Sequence, residues 1–241
     1  MICIRNAKKK GALTVNLYKS TDQYDVLTFS DREEWKSWRI KGIGGSDASA
    51  MIGLNPWKDS NTLWKEKKGI IVPEDISDKS YVQYGIKAEA PLRELFALDF
   101  PGYDVQYQDN TILKSKLYPW VLYSPDGLIF EKETGRRGIF ENKTTNILQS
   151  MQREKWDGRI PDNYFVQCLH GLLCTGFDFV VLKAQLRYDY KDGTVRFDTR
   201  HYEIDRGDFL GDLEWLLRNE REQWERYYVP DIEPPTHLPE I

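Results

Sequence analysis

Cysteine is scarce in this chain. Its 241 residues hold three, Cys3, Cys168 and Cys174. An odd number without regular spacing excludes a disulfide framework and points to a reducing compartment. The cytoplasm is therefore the expected location. Three scattered thiols are also too few for an iron–sulfur cluster, which takes about four. On a helix Cys168 and His170 point about 200° apart, so His170 is expected to face away from the thiols, which read as buried apolar groups. Long apolar runs are missing too. Nothing approaches the ~18 residues of a transmembrane helix. No apolar segment follows Lys8-Lys9-Lys10, so no signal peptide is expected. Repeats and low-complexity tracts are absent. So is any surplus of positive charge: 34 Lys and Arg stand against 38 Asp and Glu, a net −4. Taken alone, that acidity argues against a protein coated in nucleic acid. A cleft, however, needs only local positive potential.

Aromatic residues are plentiful, with 8 Trp, 14 Tyr and 10 Phe, and 40% of the chain is hydrophobic. That excludes disorder and supplies a large core. Residues 1–25 read as a basic arm or small hairpin, in which Leu13 to Tyr18 alternate like an edge strand. Residues 26–229 form the main domain, and 230–241 a proline-rich acidic tail lying extended on the surface. Within the domain, Ser30 is expected to cap a helix to Arg39. Ser46 and Asp47 open a short helix, and Ser60 caps another over 61–68. A longer helix over 79–99 should be kinked or split at Pro91. Strands dominate 103–143. A helix follows Pro161 and ends at Gly176, strands cover 177–188 and 194–202, and a last helix covers 208–228. This order implies an α/β fold with a central mixed β-sheet flanked by helices.

The chemistry concentrates in Ser124-Pro125-Asp126-Gly127 and Glu141-Asn142-Lys143. On a strand Glu141 and Lys143 share a face. Asp126 and Glu141 suit a hard divalent cation, and Lys143 suits a water nucleophile. The same residues also suit an ordinary hairpin with a surface Glu/Lys pair. Glu89 falls on a helix stripe with Gly85, Leu92 and Phe96. A carboxylate there needs a metal or an ion pair, with Arg93 or Lys87 as the available cations. Gly42-Ile43-Gly44-Gly45-Ser46-Asp47, with Arg39 before it, reads either as a phosphate pocket or as a plain loop and cap. It lacks the Lys-Ser/Thr of a P-loop.

Read in order, these segments resemble the YqaJ-like viral recombinases, which belong with lambda exonuclease in the PD-(D/E)XK nuclease superfamily. The resemblance begins at Arg39 and Ile43-Gly44-Gly45-Ser46-Asp47-Ala48 and continues through Gly53-Leu54-Asn55-Pro56-Trp57. It takes in Leu63-Trp64-Lys65-Glu66, then Gly85 and Glu89, then the Asp126 and Glu141 segments. It ends with Tyr164, Gln167, Gly171 and Thr175-Gly176. It covers about residues 30–188. It implies a restriction-endonuclease-like core and a PD-(D/E)XK nuclease domain. It further implies Mg²⁺ or Mn²⁺ on Glu89, Asp126, Glu141 and the Asn142 carbonyl, with Lys143 positioning water. Arg39 and Ser46 would hold a DNA 5′-phosphate. Gln167 and Tyr164 would line the cleft. The implied activity is 5′→3′ digestion of one strand at double-stranded DNA ends. A ring trimer, a single-strand annealing partner and no membrane association go with it. A nicking or structure-specific endonuclease on the same core, and a non-catalytic DNA-binding protein, are the other readings.

Overall fold

Two antiparallel hairpins and one further antiparallel edge strand make the main sheet. The computed structural model describes residues 15–147 and 150–236. The elements are β1 (Tyr24–Thr28), α1 (Arg32–Arg39), α2 (Gly45–Met51), α3 (Ser60–Lys67) and α4 (Ser80–Asp99). Then come β2 (Tyr103–Gln106), β3 (Thr111–Ser115), β4 (Leu122–Tyr123), β5 (Gly127–Glu131) and β6 (Arg137–Asn146). The chain continues with α5 (Ser150–Glu154), α6 (Asp162–Thr175), β7 (Phe179–Asp189), β8 (Val195–Asp205) and α7 (Leu210–Gln223). A π-helical turn follows over Trp224–Tyr228.

The five-stranded sheet runs β2-β5-β6-β7-β8, and a three-stranded sheet runs β1-β3-β4. Only β6 and β7 pair in parallel, because α5 and α6 carry the chain back between them. The sheet is therefore mixed, as the sequence implies. It buries Leu128, Ile139, Val180, Leu182 and Leu186 against α6 in the largest core cluster. A second cluster of Phe96, Ile129, Phe140 and Phe179 fills the opposite face under α4. Strand alternation on β6 thus sends Ile139 to one core and Phe140 to the other.

Several boundaries differ from the sequence reading. Asp31, not Ser30, caps α1, its Oδ1 accepting from Glu34 N at 2.9 Å. Ser30 donates its N–H and O–H back to Glu34 Oε2. Asp59 displaces Ser60 in the same way by accepting from Thr62 N at 2.8 Å. Aspartate and serine cap about equally well, and the negative charge at the helix start adds a small preference for the carboxylate. Pro91 does not split α4, which is continuous over Ser80–Asp99. Pro91 and Lys87 lie exposed, so the carbonyl left without a donor is on the wet side, while Leu92 and Phe96 anchor the helix.

Residues 1–14 and 237–241 fall outside the described residues, so the basic run and the end of the tail do too. Residues 15–18 are not a strand; β1 lies later. Nor does this stretch stand apart, since Leu17 and Tyr24 are core residues and the Tyr24 hydroxyl donates to Leu17 O at 3.1 Å. The start of the tail is held on α3. Asn61 Nδ2 donates to Pro234 O at 2.7 Å, and Lys65 pairs with Glu233 at 2.9 Å.

Cys168 and Cys174 are buried free thiols. His170 turns to other partners. Its Nδ1 lies 2.7 Å from Glu220, and its Nε2 lies 3.0 Å from both Ile43 O and Leu122 O. Both neighbours of Nε2 are carbonyls, so that nitrogen carries a proton, and a second proton on Nδ1 makes the ring a cation paired with Glu220. Burial opposes that charge, but Glu220 and the two carbonyls outweigh it and raise the His170 pKa. Trp120 Nε1 satisfies the other Glu220 oxygen at 3.1 Å. We predict that Glu220→Ala, which strands this cation, destabilises the fold by about 3–5 kcal/mol, measured by chemical denaturation. A raised folded pKa means that the pair contributes fully below the unfolded value of about 6.5 and fades as pH climbs past it. The stability gap between wild type and Glu220→Ala should therefore shrink from pH 6 towards alkaline pH. A gap that grows would contradict the assignment.

Candidate active site

Glu141 is the centre of the site. It lies on β6 with only 1% of its surface exposed. Lys143, two residues on and on the same face, donates to Glu141 Oε1 at 2.6 Å. Gln167 of α6 donates to the same oxygen. The Tyr123 hydroxyl donates to Glu141 Oε2 at 2.6 Å. Asp126 arrives from the turn between β4 and β5, its Oδ2 accepting from Asn142 N at 2.8 Å. Glu89 is brought in from the opposite side by α4. The helix comes close to β6 one turn earlier at Gly85, where a Cβ would stand 3.1 Å from Thr144 Oγ1. Arg93 does not pair with Glu89. It donates to Asp126 O at 2.8 Å and stacks its guanidinium on Tyr107, 3.8 Å from the ring centre.

The electrostatics follow from crowding acids in a dry place. Burial and then Glu141 push Asp126 well above the usual carboxylate range. Burial also raises Glu89, with Lys143 opposing and Glu141 adding. Burial alone would lower Lys143, but Glu141 and Asp126 reverse it and keep the ammonium charged. Burial and Glu141 hold Tyr123 as a protonated donor.

The glycine-rich loop is braced from behind. Asp47 Oδ2 accepts from Gly44 N at 3.0 Å and pairs with Lys67 at 2.7 Å. Lys67 also donates to Arg39 O at 2.8 Å. Burial opposes ionisation of Asp47, but Lys67 and Arg39 overcome it and lower its pKa. With its back fixed, the loop presents Ser46, whose Oγ accepts from Arg39 Nη2 at 3.1 Å.

Arg39, Ser46, Glu89, Asp126, Glu141 and Lys143 line one cavity of about 230 Å³, together with Asn142 and Gln167. Tyr164 is the exception among the expected site residues. It stacks on Trp156, 5.6 Å between centres, with Lys143 Nζ 5.4 Å from its ring, and does not line the cavity. The sequence reading omitted Tyr123. Its signal was positional, one residue before Ser124-Pro125-Asp126-Gly127. Two glycines hold its ring: a Cβ on Gly45 would come within 2.9 Å of it, and one on Gly171 within 2.8 Å.

The donor set suits a hard cation. Three carboxylates surround one space, two of them driven towards the neutral form by burial and mutual repulsion, and Asn142 Oδ1 is buried without a partner. Among the described residues, however, no three His, Cys, Asp or Glu side chains already converge on one point. Glu141 spends its oxygens on Tyr123, Lys143 and Gln167 instead.

Comparison with known proteins follows this geometry. The family model described as YqaJ-like viral recombinase domain matches residues 34–178. An uncharacterized protein YqaJ of Bacillus subtilis (strain 168) is 33% identical over 202 residues, 80% of this chain. The chain spans only 55% of that relative's length. Among solved structures, the alkaline exonuclease LHK-Exo from Laribacter hongkongensis superposes with a TM-score of 0.55 at 17% identity. That match covers 81% of this chain and 93% of the exonuclease. The same exonuclease in complex with dAMP gives 0.56 at 18% identity, with equal coverage. At such identity the superposition establishes a shared fold. Among the described residues no helix is long and apolar enough to cross a membrane. With the match running from α1 to the end of α6, the chain belongs to the YqaJ-like viral recombinase domain family.

Proposed function

We propose that the chain is a metal-dependent deoxyribonuclease that digests one strand of duplex DNA 5′→3′ from its ends. One observation carries this reading: the carboxylate–lysine cluster and the Arg39/Ser46 pair share a single cavity. A phosphate held by Arg39 and Ser46 and a phosphodiester at Glu141 and Lys143 can therefore belong to one strand. Glu89, Asp126, Glu141 and the Asn142 carbonyl would hold Mg²⁺ or Mn²⁺. When bound, the cation supplies Lewis-acid polarisation of the phosphoryl oxygen and acidifies water. Lys143 orients the attacking water through its N–H groups. Gln167 and Tyr123 keep Glu141 in register. Arg39 offers a planar fork to two oxygens of a terminal phosphate, and Ser46 adds a hydroxyl. A terminal phosphate suits such a local clamp, whereas an endonuclease needs only an open groove. The exonuclease fold shared with LHK-Exo supports the reading. Single strand for recombination, an annealing partner and a ring trimer belong to the same proposal.

Glu141→Gln should lower cleavage of linear duplex by at least about 10²-fold while duplex binding persists, because shape is kept and metal charge is lost. Loss of binding together with cleavage would contradict the role. Chelation by EDTA should abolish activity, and added Mg²⁺ or Mn²⁺ should restore it. Arg39→Ala should erase the preference for 5′-phosphorylated over 5′-hydroxyl ends, read as the ratio of initial rates. An unchanged ratio removes the phosphate assignment. Covalently closed circles should survive; their loss would favour an endonuclease.

A further inference from the structure

The cavity does not end at Arg39. It continues past Trp35 to Arg32 and the β2–β3 turn, where Gln108 and Asn110 line it. Trp35 is almost fully buried, and its indole N–H points to Thr111 O at 3.4 Å. Two guanidinium groups ride on this fixed ring. The Arg32 carbon lies 3.7 Å from the ring centre and the Arg39 carbon 4.7 Å. Their separation therefore cannot exceed those two distances together.

Arg32 has no acid of its own. Among the described residues it forms no salt bridge, although acids surround it in the sequence. Asp31 is spent on Glu34 N, Glu33 on Lys36 at 2.7 Å, and Glu34 on Ser30. Its position is also a costly one for a cation. It is the first residue of α1, where the helix dipole disfavours positive charge. Helix stability therefore does not explain it. What the position does give is an unpaired, planar, weakly hydrated cation held flat at the mouth of a cleft whose floor is acidic. Glu89 lines the same cavity, and the Arg32 charge acts weakly on it.

We propose that Arg32, stacked on Trp35 and facing Gln108 and Asn110, forms a second phosphate subsite that grips a DNA backbone phosphate beyond the one held by Arg39. The inference rests on the nuclease reading and extends it. The two arginines then divide the work. Arg39 with Ser46 recognises the end, and Arg32 holds the strand regardless of what its end carries. Backbone grip without base contact suits an enzyme that must advance through any sequence.

The test is duplex binding in the Glu141→Gln background, measured against salt with 5′-phosphorylated and 5′-hydroxyl linear duplexes. Arg32→Ala should weaken both about equally, by roughly 5- to 20-fold at low salt, and lower the salt slope by about 1. Arg32→Lys should restore the slope, because charge sets counterion release. Arg32→Gln should not. Thermal melts should show all three variants as stable as the parent, or more so. An unchanged slope in Arg32→Ala, or a loss confined to 5′-phosphorylated duplex, overturns the subsite. The nuclease reading fails separately, if the parent binds no duplex or wild type cleaves none with Mg²⁺.

Discussion

The structure is organised around the burial of one carboxylate. Glu141 sits in the middle strand of the main sheet with almost no contact with water. A lone carboxylate there costs several kcal/mol in desolvation, so the surroundings must supply donors. They do so from three elements: Lys143 on the same strand, Gln167 on α6 and Tyr123 on β4. Gln167 and Tyr123 thereby fix α6 and β4 relative to β6. The slot for Tyr123 explains two glycines that have no turn to make, Gly45 and Gly171. A side chain at either would collide with the ring and loosen the grip on Glu141.

A second buried pair ties this arrangement to the glycine-rich loop. His170 lies one turn beyond Gln167 on α6. Through one nitrogen it holds the carbonyls of Ile43 and Leu122, the residues flanking the glycine-rich loop and Tyr123. Through the other it holds Glu220 of α7. The loop that presents Ser46 and the strand that presents Tyr123 are thus pinned to the same imidazolium. The Lys67–Asp47 bridge braces the loop from α3. The Arg39/Ser46 pair and the carboxylate cluster keep a fixed relation because both hang from α6.

Much of this was legible in the sequence. Strand alternation placed Glu141 and Lys143 on one face, helix spacing placed Glu89 on a stripe with Gly85, Leu92 and Phe96, and the family resemblance joined the two. Gly85 gave the helix its close approach. The ordered segments from Arg39 to Gln167 identified the family. What escaped has physical reasons. Cap identity failed by one residue at Asp31 and Asp59, where two candidate acceptors stand side by side and local energetics differ little. The split at Pro91 failed because an exposed carbonyl and the anchors Leu92 and Phe96 let the helix run on through the proline. The family resemblance implied a cleft role for Tyr164, yet its ring stacks on Trp156. Tyr123, Arg93 and Arg32 were missed as site residues because their partners, Glu141, Asp126 and Trp35, become partners only through the fold. The opening charge of −4 resolves the same way. Acids gather at the cleft floor and cations at its rim, and a sum over the chain hides both.

The central claim is that these carboxylates exist to bind a divalent cation next to Lys143. The most direct test is a crystal structure with Mn²⁺, located by its anomalous signal. The account predicts a peak among Glu89, Asp126 and Glu141, with the Glu141–Lys143 contact rearranged around it. A peak elsewhere, or no peak while Glu141 keeps its bonds to Lys143, Gln167 and Tyr123, would contradict it.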